Sequence, residues 1–138
     1  MNRNRQIILS VIALCILIGA AFGFYEYAKP HASAADKRTD VAIGADSLYA
    51  SFSNDEAGAN KKYINKVAEV TGVVEDVSVS DRKPVIFLRT AGPGVINCLM
   101  AMDSATVFST IKKNAQIIIK GKCSGYLLDV NLVDCVIK

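Results

Sequence analysis

The sequence predicts a mainly β fold: a closed five-stranded barrel with an N-terminal helix and a helix between strands three and four, preceded by one transmembrane helix. Three observations predict it. No charged residue occurs between Ile7 and Tyr25, where Ile, Leu, Val, Ala and Phe dominate. From Val67 onward apolar residues alternate with period two in five runs separated by turn residues. Between the third and fourth runs the spacing turns helical, at Val107, Phe108 and Ile111.

At ~1.5 Å rise per residue, a helix from Ile7 to Tyr25 covers roughly the hydrocarbon thickness of a bilayer. It has no polar face, which argues against a soluble core helix. The division that follows is a tail over residues 1–6, an anchor over Ile7–Tyr25, a linker over 26–44 and a folded domain over 45–138. Two other readings compete with an uncleaved anchor. Ala32-Ser33-Ala34 is a small-x-small cleavage site, but the apolar run exceeds a usual signal core and Pro30 intervenes. Lipid attachment at Cys15 would follow Leu14, a large residue where processing prefers a small one, and would leave much of the apolar run behind the cut. Arg3 and Arg5 precede the run; Lys29, Lys37 and Arg38 follow it, so the positive-inside count is nearly tied. The signal-like order of a short basic tail and an apolar run breaks the tie. It places the tail inside, the span in the inner (cytoplasmic) membrane, and the domain outside the cytoplasm.

The net charge of +3 divides unevenly. Residues 45–138 hold 11 Lys and Arg against 10 Asp and Glu, so the domain carries +1. The overall basicity is therefore not a nucleic-acid surface. His31, the single histidine, falls in the linker, a setting for a solvated side chain rather than a ligand or base.

In the domain, Asp46 or Ser47 is expected to cap a short helix that buries Leu48 and Phe52 at i, i+4, with Tyr49 beside them. Asn54-Asp55-Glu56 ends it or opens a second turn through Ala57, Ala59 and Lys61, which Gly58 weakens. VAEVTGVVEDVSVS, from Val67, is a long strand whose valines switch phase near Gly72, as a bulge or sharp coil at glycine allows. Such a strand can belong to two sheets. Asp81-Arg82-Lys83-Pro84 makes a turn, Val85–Thr90 the next strand, Ala91-Gly92-Pro93-Gly94 a tight connection and Val95–Ala101 a third strand. Asp103 or Ser104 caps a helix running to about Lys113.

The last two strands lie in Gln116–Lys138. Ile117, Ile119, Gly121 and Cys123 share one face of the first; Val133, Cys135 and Ile137 share one face of the second. Antiparallel pairing about Leu128–Val130 brings Cys123 and Cys135 together on the core side. A disulfide between them, leaving Cys98 reduced beside Ile96 and Met100, is the expectation, with three buried free thiols as the alternative.

A five-stranded barrel with a coiled first strand and a helix between strands three and four is the OB-fold plan. The runs Ala59-Asn60-Lys61-Lys62-Tyr63, Val70-Thr71-Gly72-Val73-Val74, Gly121-Lys122-Cys123-Ser124-Gly125, and Asp129-Val130 through Asp134-Cys135 carry a closer likeness. They resemble the tRNA-anticodon-binding-like family of OB-fold proteins over residues 45–138. The resemblance implies a small bacterial envelope protein with an N-terminal signal or anchor, and its name implies nucleic acid.

The residues themselves point elsewhere. Single-strand binders need a basic groove with exposed aromatics, and the second and third strands offer only Phe87 and Arg89. The best-placed candidates for a binding face are Phe87, Arg89, Lys120, Lys122 and Tyr126. No enzyme site assembles: there is no histidine beside a nucleophile, and the Glu75-Asp76 and Asp129/Asp134 carboxylates follow no catalytic spacing. The cysteines lack CxxC spacing, and no GxGxxG or GxxxxGK loop occurs, so no metal or cofactor is expected. The reading is a membrane-anchored extracytoplasmic binding or interaction module for an unknown protein or envelope ligand. The alternatives are a single-stranded nucleic-acid binder and a structural envelope component.

Overall fold

The computed structural model describes residues 3–27, 34–101, 109 and 111–138. It divides into two units, Met1–His31 and Ala32–Lys138.

The first unit is one helix, α1 (Arg3–Tyr27). Its stretch Arg5–Tyr25 has a mean hydropathy of 2.8 and is long and apolar enough to cross a membrane. The hydroxyl of Ser10 donates to the Gln6 carbonyl at 2.9 Å, so this polar side chain is satisfied within the helix itself.

The second unit begins earlier than residue 45. Within the stretch read as linker, Ala34–Asp36 forms a 3-10 turn with Ala34 buried, and Val41–Gly44 forms strand β1. β1 runs parallel to the start of the long strand β2 (Val67–Ser80), from Val41 opposite Ala68 to Gly44 opposite Thr71. Val41 and Ile43 alternate over only four residues beside a charged stretch, too few for a period-two signal to stand out.

Two helices follow, α2 (Ala45–Asn54) and α3 (Glu56–Tyr63). The Leu48/Phe52 stripe and Tyr49 of α2 are buried as the spacing requires. The cap differs from expectation: Gly44 occupies the N-cap without a side-chain bond, and Asp46 sits in the first turn. Asp55 caps α3, its carboxylate accepting from the Gly58 N–H at 3.0 Å. Gly58 therefore stands where a helix can start, since a Cβ there would meet that carboxylate at 2.2 Å.

β2 serves two neighbours in succession. Residues Val67–Val73 pair with β5 (Gln116–Leu127), and Val74–Ser80 pair with β3 (Lys83–Leu88). The irregularity falls between Val74 and Asp76, not at Gly72. Gly72 has a packing role instead, because a Cβ there would lie 3.0 Å from Ala45 and 3.2 Å from Leu88. Asp81 and Arg82, both at positive φ, form the two-residue hairpin turn that lets β3 start at Lys83 rather than Val85.

β4 (Ile96–Met100) pairs antiparallel with β3 and parallel with β6 (Asp129–Ile137), and β6 pairs antiparallel with β5. With β5 returning to β2, the order β2-β3-β4-β6-β5 closes into the expected five-stranded barrel, and β1 extends β2 outside the ring. Val70, Val74, Ile86, Leu88, Ile96, Ile119, Val130 and Leu132 fill its core together with Leu48, Phe52 and Tyr63 from the helices. Of the helix expected over Asp103–Lys113, residues 103–108 and 110 lie outside the described residues. Ile111–Lys113 is not helical, and Ile111 packs half-buried on the core.

Candidate functional site

The five residues expected to form a binding face are not brought together. Phe87 and Arg89 belong to the β3 side and Lys120 and Lys122 to β5, with β2 between them. Lys120 lies opposite Glu69 and its ammonium donates to the Lys37 carbonyl; Lys122 lies opposite Val67 and Val133. Tyr126 packs on the core. Its ring stacks on Phe52 at 5.5 Å and meets Tyr49 edge-on at 6.0 Å, and the hydrogen bond with Tyr49 holds its phenol above the usual value.

Three cations beside β2 are paired with carboxylates. Arg89 pairs with Glu75 and donates to Asn114 at 2.9 Å. Lys113 meets Asp76 at 2.9 Å and Lys138 meets Glu69 at 2.8 Å. The hydrogen bonds from Lys138 and Lys113 hold the Glu69 and Asp76 carboxyls below the usual range.

Two features not visible in the sequence have site-like shape. The first is a cleft of about 410 Å³ between the start of α2, Thr71–Val73 of β2 and Arg89–Ala91. Its wall is fixed: Asp46 accepts the Ala91 N–H at 2.7 Å, Asp129 accepts the Val95 N–H at 2.9 Å, and Thr90 donates to the Gly94 carbonyl. The connection from β3 to β4 is thus pinned at both ends. On its far side Tyr49, Pro93, Gly94, Leu128 and Asp129 line a second depression of about 380 Å³.

The second feature is a lateral row on the barrel exterior, where Asp76, Phe87, Asn97 and Asn131 lie opposite one another across β2, β3, β4 and β6. Asn97 donates to Asn131 at 3.1 Å, while its own side-chain oxygen is buried with no hydrogen-bond partner among the described residues. Phe87, half-buried beside it, is the one expected residue the row retains. Asp46 read as a cap and Asn97 as a strand residue; only the register reveals their neighbours.

The cysteine register also departs from expectation. Cys123 lies opposite Leu132, not Cys135, because the two strands turn about Leu128, with Leu127 opposite Asp129, and not about Asp129. All three domain cysteines are buried free thiols in the structure. Burial pushes the Cys123 thiol up to about 11 and also raises that of Cys135 well above its ordinary range. Among the described residues no group of three His, Cys, Asp or Glu is placed to hold a metal.

A five-stranded ring with a coiled, doubly paired first strand and a parallel closing pair is an OB-fold domain. The sequence profile of the tRNA_anti-like family matches residues 1–137, and the chain belongs to that family. Among solved structures it is similar to a lipoprotein of Klebsiella pneumoniae subsp. pneumoniae MGH 78578 described as a candidate nucleic-acid binder. That match has 13% identity and a TM-score of 0.58 and covers 70% of this chain and 90% of the other. A chain of the S. pombe Stn1-Ten1 complex matches at 11% identity and a TM-score of 0.42, covering 49% of this chain and 52% of that one. A chain assigned as an aspartyl-tRNA synthetase of Leishmania major Friedlin matches at 12% and 0.48, covering 83% and 24%. At 13% identity the likeness to the Klebsiella protein is one of fold alone. No curated protein matches the chain.

Proposed function

We propose that this is a single-pass membrane protein whose OB-fold domain lies outside the cytoplasm and acts as a binding or interaction module, not an enzyme. The observation that carries the reading is charge pairing: Arg89, Lys113 and Lys138 each hold a carboxylate beside β2. Counterion release from phosphates has little to draw on there, which favours a ligand of low charge. The row of Phe87, Asn97 and Asn131 supplies an apolar surface and amide groups for such a ligand. The domain thiols are interior, and burial raises the titration of Cys123 and Cys135, which leaves those two unsuited to nucleophilic work. The uncleaved anchor rests on the length and apolarity of α1.

A second reading is single-stranded nucleic-acid binding. It is favoured by the Klebsiella lipoprotein's description as a candidate nucleic-acid binder.

A C-terminal fusion carrying a reporter active only outside the cytoplasm tests the location, and its activity is the expected result. Fluorescence from a reporter that matures only in the cytoplasm would reverse the orientation. The full chain in detergent is expected to bind a fluorescent single-stranded oligonucleotide weakly even at low salt. Sub-micromolar, steeply salt-dependent binding would establish the second reading instead.

A further inference from the structure

The β5–β6 hairpin ends in the two most exposed large apolar side chains of the domain among the described residues, Leu127 at 83% and Leu128 at 79%. Leu128 holds φ 68, in the left-handed region that suits Gly or Asn, so turn chemistry does not select a leucine there. The tip is braced from three sides. Leu127 pairs opposite Asp129, the Asp129 carboxylate accepts the Val95 N–H at 2.9 Å, and the Tyr126 ring stacks on Phe52. Exposed Pro93 lies beside Leu128 around the same depression. The leucines are presented outward on a fixed turn, and the domain itself supplies no apolar surroundings for them.

We propose that the Leu127–Leu128 tip inserts into the bilayer that α1 crosses, giving the domain a second attachment to the membrane. The chain outside the domain selects lipid as the occupant. Only residues 28–33 separate Tyr27 of α1 from Ala34, and that tether reaches at most ~25 Å. The turn at Ala34–Asp36 packs on β5 and β6, the strands that carry the tip. Every copy therefore has a bilayer within reach, whereas a protein partner or a second copy must diffuse to the tip. This rests on α1 being the retained anchor proposed above, and it holds on either side of the membrane. Between Lys122 and Lys138 the chain has no cation and two aspartates, Asp129 and Asp134. The contact is therefore with acyl chains and owes nothing to anionic headgroups. Two leucines are too few to hold a domain on lipid from solution, but a short tether makes their insertion intramolecular.

The chain has no tryptophan, so Leu127→Trp makes a single fluorescent reporter. The full chain is reconstituted in phosphatidylcholine vesicles, in one arm with brominated acyl chains and in the other with iodide on both faces. Leu127→Trp is expected to emit further to the blue than in detergent-free buffer peptides, to lose intensity to bromine and to be shielded from iodide. Val79→Trp, on the exposed β2–β3 hairpin, is expected to be quenched by iodide and indifferent to bromine. Adding Leu128→Asp, which the left-handed position tolerates, is expected to return the Leu127→Trp reporter to iodide. Iodide quenching equal to that of Val79→Trp, or bromine quenching that survives Leu128→Asp, overturns the insertion. Shielding from iodide without bromine quenching also overturns it, in favour of a protein contact; loss of that shielding on dilution in lipid marks the contact as a second copy. Sequencing the N-terminus of chain taken from native membranes tests the anchor separately. A start at Ala35 rejects the anchor and leaves the vesicle result to judge the tip.

Discussion

The two halves of β2 are one continuous strand of similar, valine-rich composition in contrasting surroundings. Val67–Val73 has β1 on one edge and β5 on the other, and Val67, Ala68 and Val70 are buried. Beyond the irregularity after Val74, the strand pairs with β3 and rises into a hairpin where Val79 is 61% exposed. Both halves carry the apolar alternation that makes a strand. What differs is the number of elements the topology brings against them. Alternation specifies a pleated backbone and two faces; burial of a face is decided by what packs on it.

Substitution by a charge should divide the halves most sharply. Val70→Asp places an unpaired carboxylate in the core and is expected to cost more than about 4 kcal/mol, enough to unfold the domain. Val79→Asp, on the exposed hairpin, is expected to stay within about 0.5 kcal/mol. Denaturant titration of the two variants in detergent checks this. Comparable losses would mean the hairpin is covered in solution and the contrast is false.

The same contrast explains how much was legible in the sequence. Strand content, the helix carrying Leu48 and Phe52, and the barrel plan came from local periods. The family likeness came from short runs such as Gly121–Gly125. β1 escaped because Val41 and Ile43 become a strand only where β2 offers an edge, which is a non-local fact. The bulge was sought at Gly72, the residue with conformational freedom, but it falls at Glu75, where β2 changes partners. For the candidate site, the sequence singled out Phe87 but not the row it lies in, because Asn97 and Asn131 meet it only through register. The Cys123–Cys135 expectation turned on register too: it needs a turn centred on Asp129, and the turn is centred on Leu128, with Leu127 opposite Asp129.

A smaller effect tests whether the latch before β1 belongs to the deeper half. Asp40 accepts the Val67 N–H at 2.8 Å, while its own N–H donates to the Val67 carbonyl at 2.9 Å. Asp40→Ala removes the side-chain acceptor and leaves a part-buried N–H unsatisfied. The expected loss is about 1–2 kcal/mol, with much of it restored in Asp40→Asn, which keeps an oxygen. Equal losses in Ala and Asn would show that the charge, not the acceptor, holds β1 in place.

The smallest expected effect compares one ion pair from each half. Glu69, in the first, takes Lys138 at 2.8 Å and a hydrogen bond from Thr39, and its side chain is 17% exposed; Asp76, in the second, takes Lys113 and is 52% exposed. Hydrogen bonding to a lysine lowers both carboxyls, Glu69 through Lys138 and Asp76 through Lys113. A lowered folded value means each pair's contribution is fully present above the unfolded carboxyl value. It is lost as pH falls through the lower folded one. Wild-type stability should therefore decline in the acid range below about pH 4.5. Glu69→Gln should reduce stability at neutral pH and flatten that decline. Asp76→Asn should do both less, and added salt should erase its effect first, because the more exposed pair is better screened. Denaturation midpoints measured from pH 3 to 7 at two salt concentrations read this ordering directly, and a larger or more salt-resistant effect at Asp76 would reverse it.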